Sequence, residues 1–264
     1  MTTMASVGLP ERKYDVQLIE KNRSHWYSVT TKDGKNRILP GVTGVLQVIN
    51  KPALIPWAKK VTAEAIEAAL MKRLAGKKEA RIKLTPEWVA AVIAEGKARP
   101  DKIKDEAADL GTQAHQVFDR VVKGEKIDMK ELPEILRPSV TSFLEWLAQA
   151  GIQLVMPDTK VASLSEGFGG SLDALGWKDD HYVLLDWKTS KGIYPEYGLQ
   201  VAAYATAFEE TFGVPIGEAH IVRFGKETPD WEHKRVANLT VSYGAFAAAK
   251  SLQSVLKDFQ QYDD

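Results

Sequence analysis

The order of helical and strand patterns from residue 101 onward constrains the fold of this chain most. Two helical segments, 101–123 and 131–150, come first, and Gly151 ends the second of them. Three β-like runs follow within 152–188, and after them come a helix to about Phe212 and a further strand. Because helices precede, interrupt and follow the strands, the pattern predicts an α/β fold of the α+β type, with a central mixed sheet flanked by helices.

The N-terminal third has a different pattern. Residues 14–30 predict two short strands, and Asp33-Gly34 supplies a turn. Residues 54–75 predict a helix, and Thr85-Pro86-Glu87 predicts the start of another that ends at about Glu95. Elsewhere the sequence predicts a short helix after Pro40, a strand at 233–241 and a final helix over 243–262.

Composition excludes several classes of site. The chain has no cysteine, which rules out disulfides, thiolate zinc sites and an iron–sulfur cluster. Lys plus Arg and Asp plus Glu each total 35, and this zero net charge argues against a protein that coats nucleic acid. The sequence has neither an apolar run of the roughly 20 residues that span a bilayer nor a secretory leader, so we expect no membrane contact and a cytoplasmic protein.

The β-like run HYVLLDWK places a carboxylate and an ammonium on one face. Side chains alternate along a strand, so Leu184, Asp186 and Lys188 point to the same side. The charged pair therefore follows an otherwise apolar strand. Taken alone, the same triplet also fits a surface ion pair on an edge strand.

A second carboxylate lies in the preceding run. Asp173 comes 13 positions before Asp186, and a tight turn between the two runs would bring both acids to one end of a hairpin. Two carboxylates that close repel unless a cation lies between them, and oxygen-rich ligation suits Mg²⁺ or Mn²⁺. Gly169 and Gly170 fit the close approach of a backbone or ligand, or a plain β-bulge. Asp173 also fits a turn carboxylate in a glycine-rich bend. Glu166 is either a further acidic group near the metal or a solvated loop residue.

Three positions on two predicted helices could complete such a site. His115 shares a helical face with Phe118 and Val122, where it is either a third metal ligand or a satisfied core histidine. Gln200 and Tyr204 are four residues apart on the helix after the last of the three runs, where they either contact a phosphate or base or form an ordinary helix surface.

Four motifs in order resemble those of the PD-(D/E)XK nuclease superfamily, in particular its RecB-like exonuclease branch of phage and mitochondrial type. They are G-T-x-x-H at 111–115, G-x-x-D at 170–173, D-x-K at 186–188 and Q-x-x-x-Y at 200–204. The resemblance covers about 105–225. It implies a restriction-endonuclease-like αβββαβ core within 105–264 and a largely helical N-terminal elaboration within 1–104.

The resemblance also implies roles for the motif residues. His115, Asp173 and Asp186 would bind Mg²⁺ or Mn²⁺ with the Trp187 carbonyl, and Lys188 would orient or activate the attacking water. Gln200 and Tyr204 would support the site and contact the nucleic acid.

The densest basic segment could follow a DNA backbone, or it could be a solvated helix and loop. Its cations are Lys72, Arg73, Lys77, Lys78, Arg81 and Lys83, of which Lys77, Lys78 and Arg81 are the predicted contacts.

The resemblance implies a metal-dependent DNA exonuclease of phage-type recombination, repair or processing. The expected substrate is single-stranded DNA or duplex ends, the expected setting is the cytoplasm of a bacterial or phage-infected cell, and DNA-processing proteins are expected partners. A structure-selective or site-specific endonuclease, a non-catalytic nucleic-acid-binding protein of the same fold and a metal hydrolase of small phosphates are the alternatives. Retention of both aspartates and the lysine disfavours the non-catalytic one.

Overall fold

The computed structural model describes residues 10–21, 24–75 and 84–260. The chain divides into two compact units, Met1–Ile49 with Gln113–Asp264, and Asn50–Thr112. The predicted division into 1–104 and 105–264 stays a prediction. No described helix is long and apolar enough to cross a membrane.

Two sheets belong to the first unit. The smaller sheet is antiparallel and has the order β1 (Tyr14–Lys21), β2 (Ser24–Thr31) and β3 (Asn36–Pro40). The larger has the order β4 (Gln153–Ser163), β5 (Phe168–Lys178), β6 (His181–Lys188), β7 (Ile216–Phe224) and β8 (Trp231–Arg235). Only β6 and β7 pair in parallel within it, because a helical crossover joins them. The predicted mixed sheet is therefore confirmed.

Six α-helices accompany these strands in the described chain. They are α1 (Val42–Val45), α2 (Leu54–Leu74), α3 (Pro86–Val122), α4 (Arg137–Gln149), α5 (Pro195–Phe212) and α6 (Leu239–Gln260). Short 3₁₀ turns at Leu46–Val48 and Glu134–Leu136 follow α1 and precede α4.

Two sequence predictions were wrong. We expected separate helices ending near Glu95 and beginning at Asp101, but α3 continues through Pro100, because a proline removes only one backbone hydrogen bond and the remaining turns keep theirs. The strand expected at 233–241 instead covers Trp231–Arg235, which is β8. It ends early because Asn238 caps the start of α6, where its side chain accepts a hydrogen bond from the backbone N–H of Val241 at 3.0 Å.

Strand β6 is buried on both faces. Leu184 packs into a core with α5 residues that include Val201 and Phe208. On the opposite face, the Trp187 ring lies 5.2 Å from that of Trp146 in α4. This alternation places Asp186 and Lys188 on the face that meets α5.

The two adjacent glycines of β5 accommodate aromatic rings. A Cβ atom on Gly169 would lie 2.5 Å from Tyr27 Cγ of β2, and one on Gly170 would overlap the ring of Tyr204 in α5. The strand pairing has no irregularity there. These close approaches fix the smaller sheet and α5 against the strand that carries Asp173.

The unit Asn50–Thr112 pairs α2 with the first part of α3. Gly96 allows the close packing, since a Cβ there would lie 2.6 Å from Ile66 Cγ1. No residue of α2 is fully buried, which leaves a thin helical layer rather than a second core.

Candidate active site

The antiparallel pairing of β5 with β6 brings the two predicted carboxylates together. Ala174 lies opposite Leu185, so Asp173 and Asp186 follow at the same end of the hairpin. The turn at the other end uses Asp179 and Asp180, which both have positive φ. The backbone N–H of Trp187 donates to Asp173 Oδ2 at 2.7 Å, which fixes this carboxylate beside β6.

His115 contacts Asp173 directly. Its Nδ1 lies 3.1 Å from Asp173 Oδ1, and both side chains are partly buried. Burial is the largest single effect and disfavours the imidazolium, but the charge of Asp173, its hydrogen bond and the charge of Asp186 together outweigh it and raise the pKa of His115. Burial alone would raise the pKa of Asp173. The opposing effects of His115, Lys188 and the Trp187 N–H leave that pKa below its usual value.

Asp186 and Lys188 form a buried ion pair. Asp186 is 1% exposed, and its Oδ2 lies 2.5 Å from Lys188 Nζ. From the described residues, that oxygen nevertheless accepts no hydrogen bond of good geometry. Burial is the largest effect and raises the pKa of Asp186. The charge of Lys188 opposes it and the nearby Asp173 adds to it, which leaves the pKa at about 6. Burial acts to lower the pKa of Lys188, whereas Asp186 acts to raise it. The net effect is a pKa above the usual value.

The oxygen and nitrogen donors of His115, Asp173 and Asp186 suit a hard divalent cation, although their side chains are not arranged around a common point. Across residues 10–21, 24–75 and 84–260, no three His, Asp or Glu side chains lie close enough to hold one ion together. Instead, Asp173 is engaged by His115 and Asp186 by Lys188. Two adjacent carboxylates, one with an oxygen that accepts no hydrogen bond, are the chemistry that Mg²⁺ or Mn²⁺ would neutralise. The predicted ligand set, with the Trp187 carbonyl, stays a prediction.

Gln200 and Tyr204 lie on one face of α5, and their side chains contact each other. Gln200 Nε2 donates to the Tyr204 hydroxyl at 2.8 Å. Tyr204 is 4% exposed and its ring packs on Gly170, so the ring offers no face for a base. Burial raises its pKa well above the ordinary value, which keeps the phenol protonated. The polar groups of this pair are the Tyr204 hydroxyl and the Gln200 amide.

The structure adds polar groups that the sequence analysis missed. Asp119 lies one turn after His115, and burial followed by the charges of Asp158 and Asp173 raises its pKa to about 6. Its spacing of four residues from His115 was the available signal. The hydroxyls of Tyr27 and Ser171 lie 3.1 Å apart, and no local pattern could have placed Tyr27 there.

Other sequence-predicted residues lie elsewhere or outside the described chain. Glu166 is exposed and lies near Tyr243, where its charge adds to burial in raising the pKa of the tyrosine to about 12. The predicted DNA contacts Lys77, Lys78 and Arg81 lie outside the described residues.

Comparison with known proteins gives one family match. A sequence model of the PD-(D/E)XK nuclease superfamily matches residues 87–262. The crystal structure of SSO0001 overlaps with a TM-score of 0.34 at 13% identity, over 73% of this chain and 86% of that one. An alkaline exonuclease from Laribacter hongkongensis, LHK-Exo, overlaps with a TM-score of 0.33 at 14% identity, over 85% and 94%. Overlaps this loose carry no argument about activity. No curated protein matches the sequence.

Proposed function

The chain belongs to the PD-(D/E)XK nuclease superfamily, and from this premise we propose that it is a metal-dependent deoxyribonuclease that degrades DNA from an end. The observation that carries the proposal is the juxtaposition of Asp173 and Asp186 at one end of the β5–β6 hairpin, with the Lys188 ammonium 2.5 Å from Asp186. Such a charge arrangement suits phosphodiester hydrolysis, which needs a positioned water and cancellation of charge on the phosphate.

In this proposal the carboxylates hold the cation. Asp173 and Asp186 would bind Mg²⁺ or Mn²⁺, with His115 and the Trp187 carbonyl completing the set. When bound, the ion supplies Lewis-acid polarisation of the phosphate and helps to position the nucleophile.

The remaining residues act on water and substrate. Lys188 is held on the same face as Asp186 and supplies a positive, hydrogen-bonding group that orients the attacking water. The Gln200 amide and the Tyr204 hydroxyl position the substrate phosphate. The Trp187 N–H keeps the Asp173 carboxylate aimed at the site.

The test is a time course on end-labelled linear duplex, single-stranded and circular DNA, with Mg²⁺, Mn²⁺ or Ca²⁺ and with excess chelator. We expect release of short products from linear ends with Mg²⁺ or Mn²⁺, and little cleavage with Ca²⁺. Asp173→Asn and Asp186→Asn should each abolish cleavage, whereas Asp180→Asn in the distant turn should not.

Two outcomes would contradict this proposal. Full activity in chelator removes the role of the metal. Rapid cutting of circular duplex replaces the exonuclease with a structure-selective or site-specific endonuclease on the same core.

A further inference from the structure

A cleft of about 510 Å³ lies between α2 and α3 within Asn50–Thr112. Its volume is in the range of roughly 300–1,000 Å³ that ligand sites occupy. Ile66 and Pro100 contribute to an apolar floor, and Lys59, Lys97 and Lys104 contribute the cations of its lining.

We propose that this cleft binds single-stranded nucleic acid, with one base on the apolar floor and neighbouring phosphates on the lysines. The proposal rests on the proposed function in taking nucleic acid as the ligand, and it adds a binding site made from residues outside the carboxylate centre.

The helix sequences explain why the floor is apolar. Val92, Gly96 and Pro100 recur every four residues on α3, and all three are buried on the face toward α2. Gly96 brings the helices into contact at Ile66 and Thr62. One turn later, the Pro100 ring lines the cleft and presents no N–H to a ligand.

Two of the three lysines are available for an anion. In the part of the chain that the structure describes, Lys59 and Lys97 form no salt bridge. Lys104 Nζ lies 3.2 Å from Asp101 Oδ1 and 6.0 Å from the centroid of the Trp57 ring. Asp101 is the one carboxylate of the lining, so the three lysines outnumber it.

The segment Asn50–Thr112 as a whole is also positively charged. Asn50–Thr112 contains 13 Lys and Arg against nine Asp and Glu, a net charge of +4, although the complete chain has 35 of each. The rest of the chain is therefore net acidic. Four of the 13 cations and one of the nine acids fall in 76–83, outside the described residues, so the described part of the segment is close to neutral and the attraction at the cleft comes from its own lysines.

The combination of an apolar floor with lysines beside it favours single-stranded nucleic acid over a duplex. A duplex keeps its bases stacked and would offer only phosphates to the lysines, leaving the floor unused. An unstacked base can cover an apolar surface while the backbone follows the cations, as in proteins that bind single strands with little sequence preference.

The test measures binding of a fluorescent single-stranded oligonucleotide to the full chain, in a cleavage-inactive Asp186→Asn background, against salt concentration. Lys59→Gln with Lys97→Gln should weaken binding at least about tenfold at low salt. The log-log salt slope should fall by about 0.7 for each lost contact. The matched control, Lys60→Gln with Lys102→Gln, removes the same charge from the same helices outside the cleft and should change the slope little. Equal losses in the two double variants would overturn the lysine contacts.

A second comparison tests the floor. A fully abasic oligonucleotide should bind the parent roughly five- to a hundred-fold more weakly than the normal one, since each stacked base contributes on that order. Ala63→Phe, which fills the cleft without changing charge, should reduce this difference. Equal binding of normal and abasic strands, or of duplex and single strand, would overturn the site.

The two proposals fail separately. A chain that cuts DNA while both double variants bind alike contradicts the cleft alone. A chain that shows the expected binding differences but cuts no DNA contradicts the nuclease proposal alone.

Discussion

The imidazoles of His220 and His233 face each other across β7 and β8, with Nδ1 of His220 2.7 Å from Nε2 of His233. The indole N–H of Trp146 donates to His233 Nδ1 at 3.2 Å, so that nitrogen carries no proton. His233 must then donate through Nε2 to His220, and His220 through its Nε2 to Glu218 at 3.0 Å. Both histidines are therefore neutral, and an added proton would break one bond of the chain.

This arrangement predicts acid sensitivity of the fold. Burial is the main cause that lowers the pKa of His233 from 6.5 to about 4. The charge of Lys178 and any proton on His220 act in the same direction, while Glu218 opposes them. The unfolded chain therefore binds a proton below pH 6.5 that the folded chain does not bind until about pH 4. Stability from this group is complete above pH 6.5 and is lost as the pH falls from 6.5 to 4.

Urea unfolding at pH 7.5 and pH 5 measures the effect. His233→Gln, whose side-chain oxygen can still accept from Trp146, should lose less stability between the two pH values than the parent. His25→Gln, at a largely exposed histidine of β2, is the control and should behave as the parent does. Equal pH dependence in all three proteins would contradict the prediction.

Lys188→Ala should lower turnover on the order of 10²-fold or more, because the site loses the cation beside Asp186 that orients water and offsets phosphate charge. DNA binding in Ca²⁺ should persist. Single-turnover cleavage gives the rate, and Lys191→Ala is the control at an exposed lysine three positions later. Near-normal turnover in Lys188→Ala would show that the assigned role is wrong.

Gly170→Ala should destabilise the fold by about 1–3 kcal/mol, because the new methyl overlaps the Tyr204 ring and a packed core accommodates extra volume poorly. Gly198→Ala, in the first turns of α5 with open space around its Cα, should instead stabilise by about 0.5–1 kcal/mol. Chemical denaturation compares the two. A neutral Gly170→Ala would show that α5 can move away from β5 at little cost.

Tyr204→Phe should reduce turnover more than DNA affinity. The change removes the hydroxyl that accepts from Gln200 and leaves the ring on Gly170 in place. Binding in Ca²⁺ and cleavage in Mg²⁺ separate the two effects. Tyr194→Phe, at an exposed tyrosine just before α5, is the control. A loss confined to affinity would assign the hydroxyl to binding rather than to positioning.

Neutralising Lys77, Lys78 and Arg81 tests the predicted basic segment. If these cations contact phosphates, the log-log salt slope of DNA binding should shrink by up to about 0.7–0.9 for each one lost. Affinity should fall for all sequences alike. An unchanged slope would show that the segment is a solvated face.

Local signals predicted most of the core. The helix at Pro195 begins with a proline in its first turn, Gly213 ends it in the left-handed conformation, and the aspartate turn joins β5 to β6. The faces of β6 followed from alternation alone, which placed Asp186 and Lys188 together.

The remaining features depend on contacts distant in sequence. Nothing near Tyr27 in the chain indicates that its ring packs on Gly169. The direct contacts of His115 with Asp173 and of Asp186 with Lys188 depend on side-chain positions that a spacing pattern does not specify. Continuity of α3 through Pro100 reflects a balance of many helical bonds against one lost bond, which a local breaker rule misjudges.

The smaller sheet also sets a timing problem for synthesis. The Tyr14 hydroxyl donates to the Ala162 carbonyl, 148 positions later, and Tyr27 pairs with Ser171 across 144 positions. At roughly 5–20 residues per second, the first strands wait about 7–30 seconds on the ribosome for their partners. During that interval Tyr14, Val16 and Val29 lack the surface that later buries them. The apolar side chains of β1 and β2 therefore stay partly exposed on the nascent chain until β4 and β5 emerge.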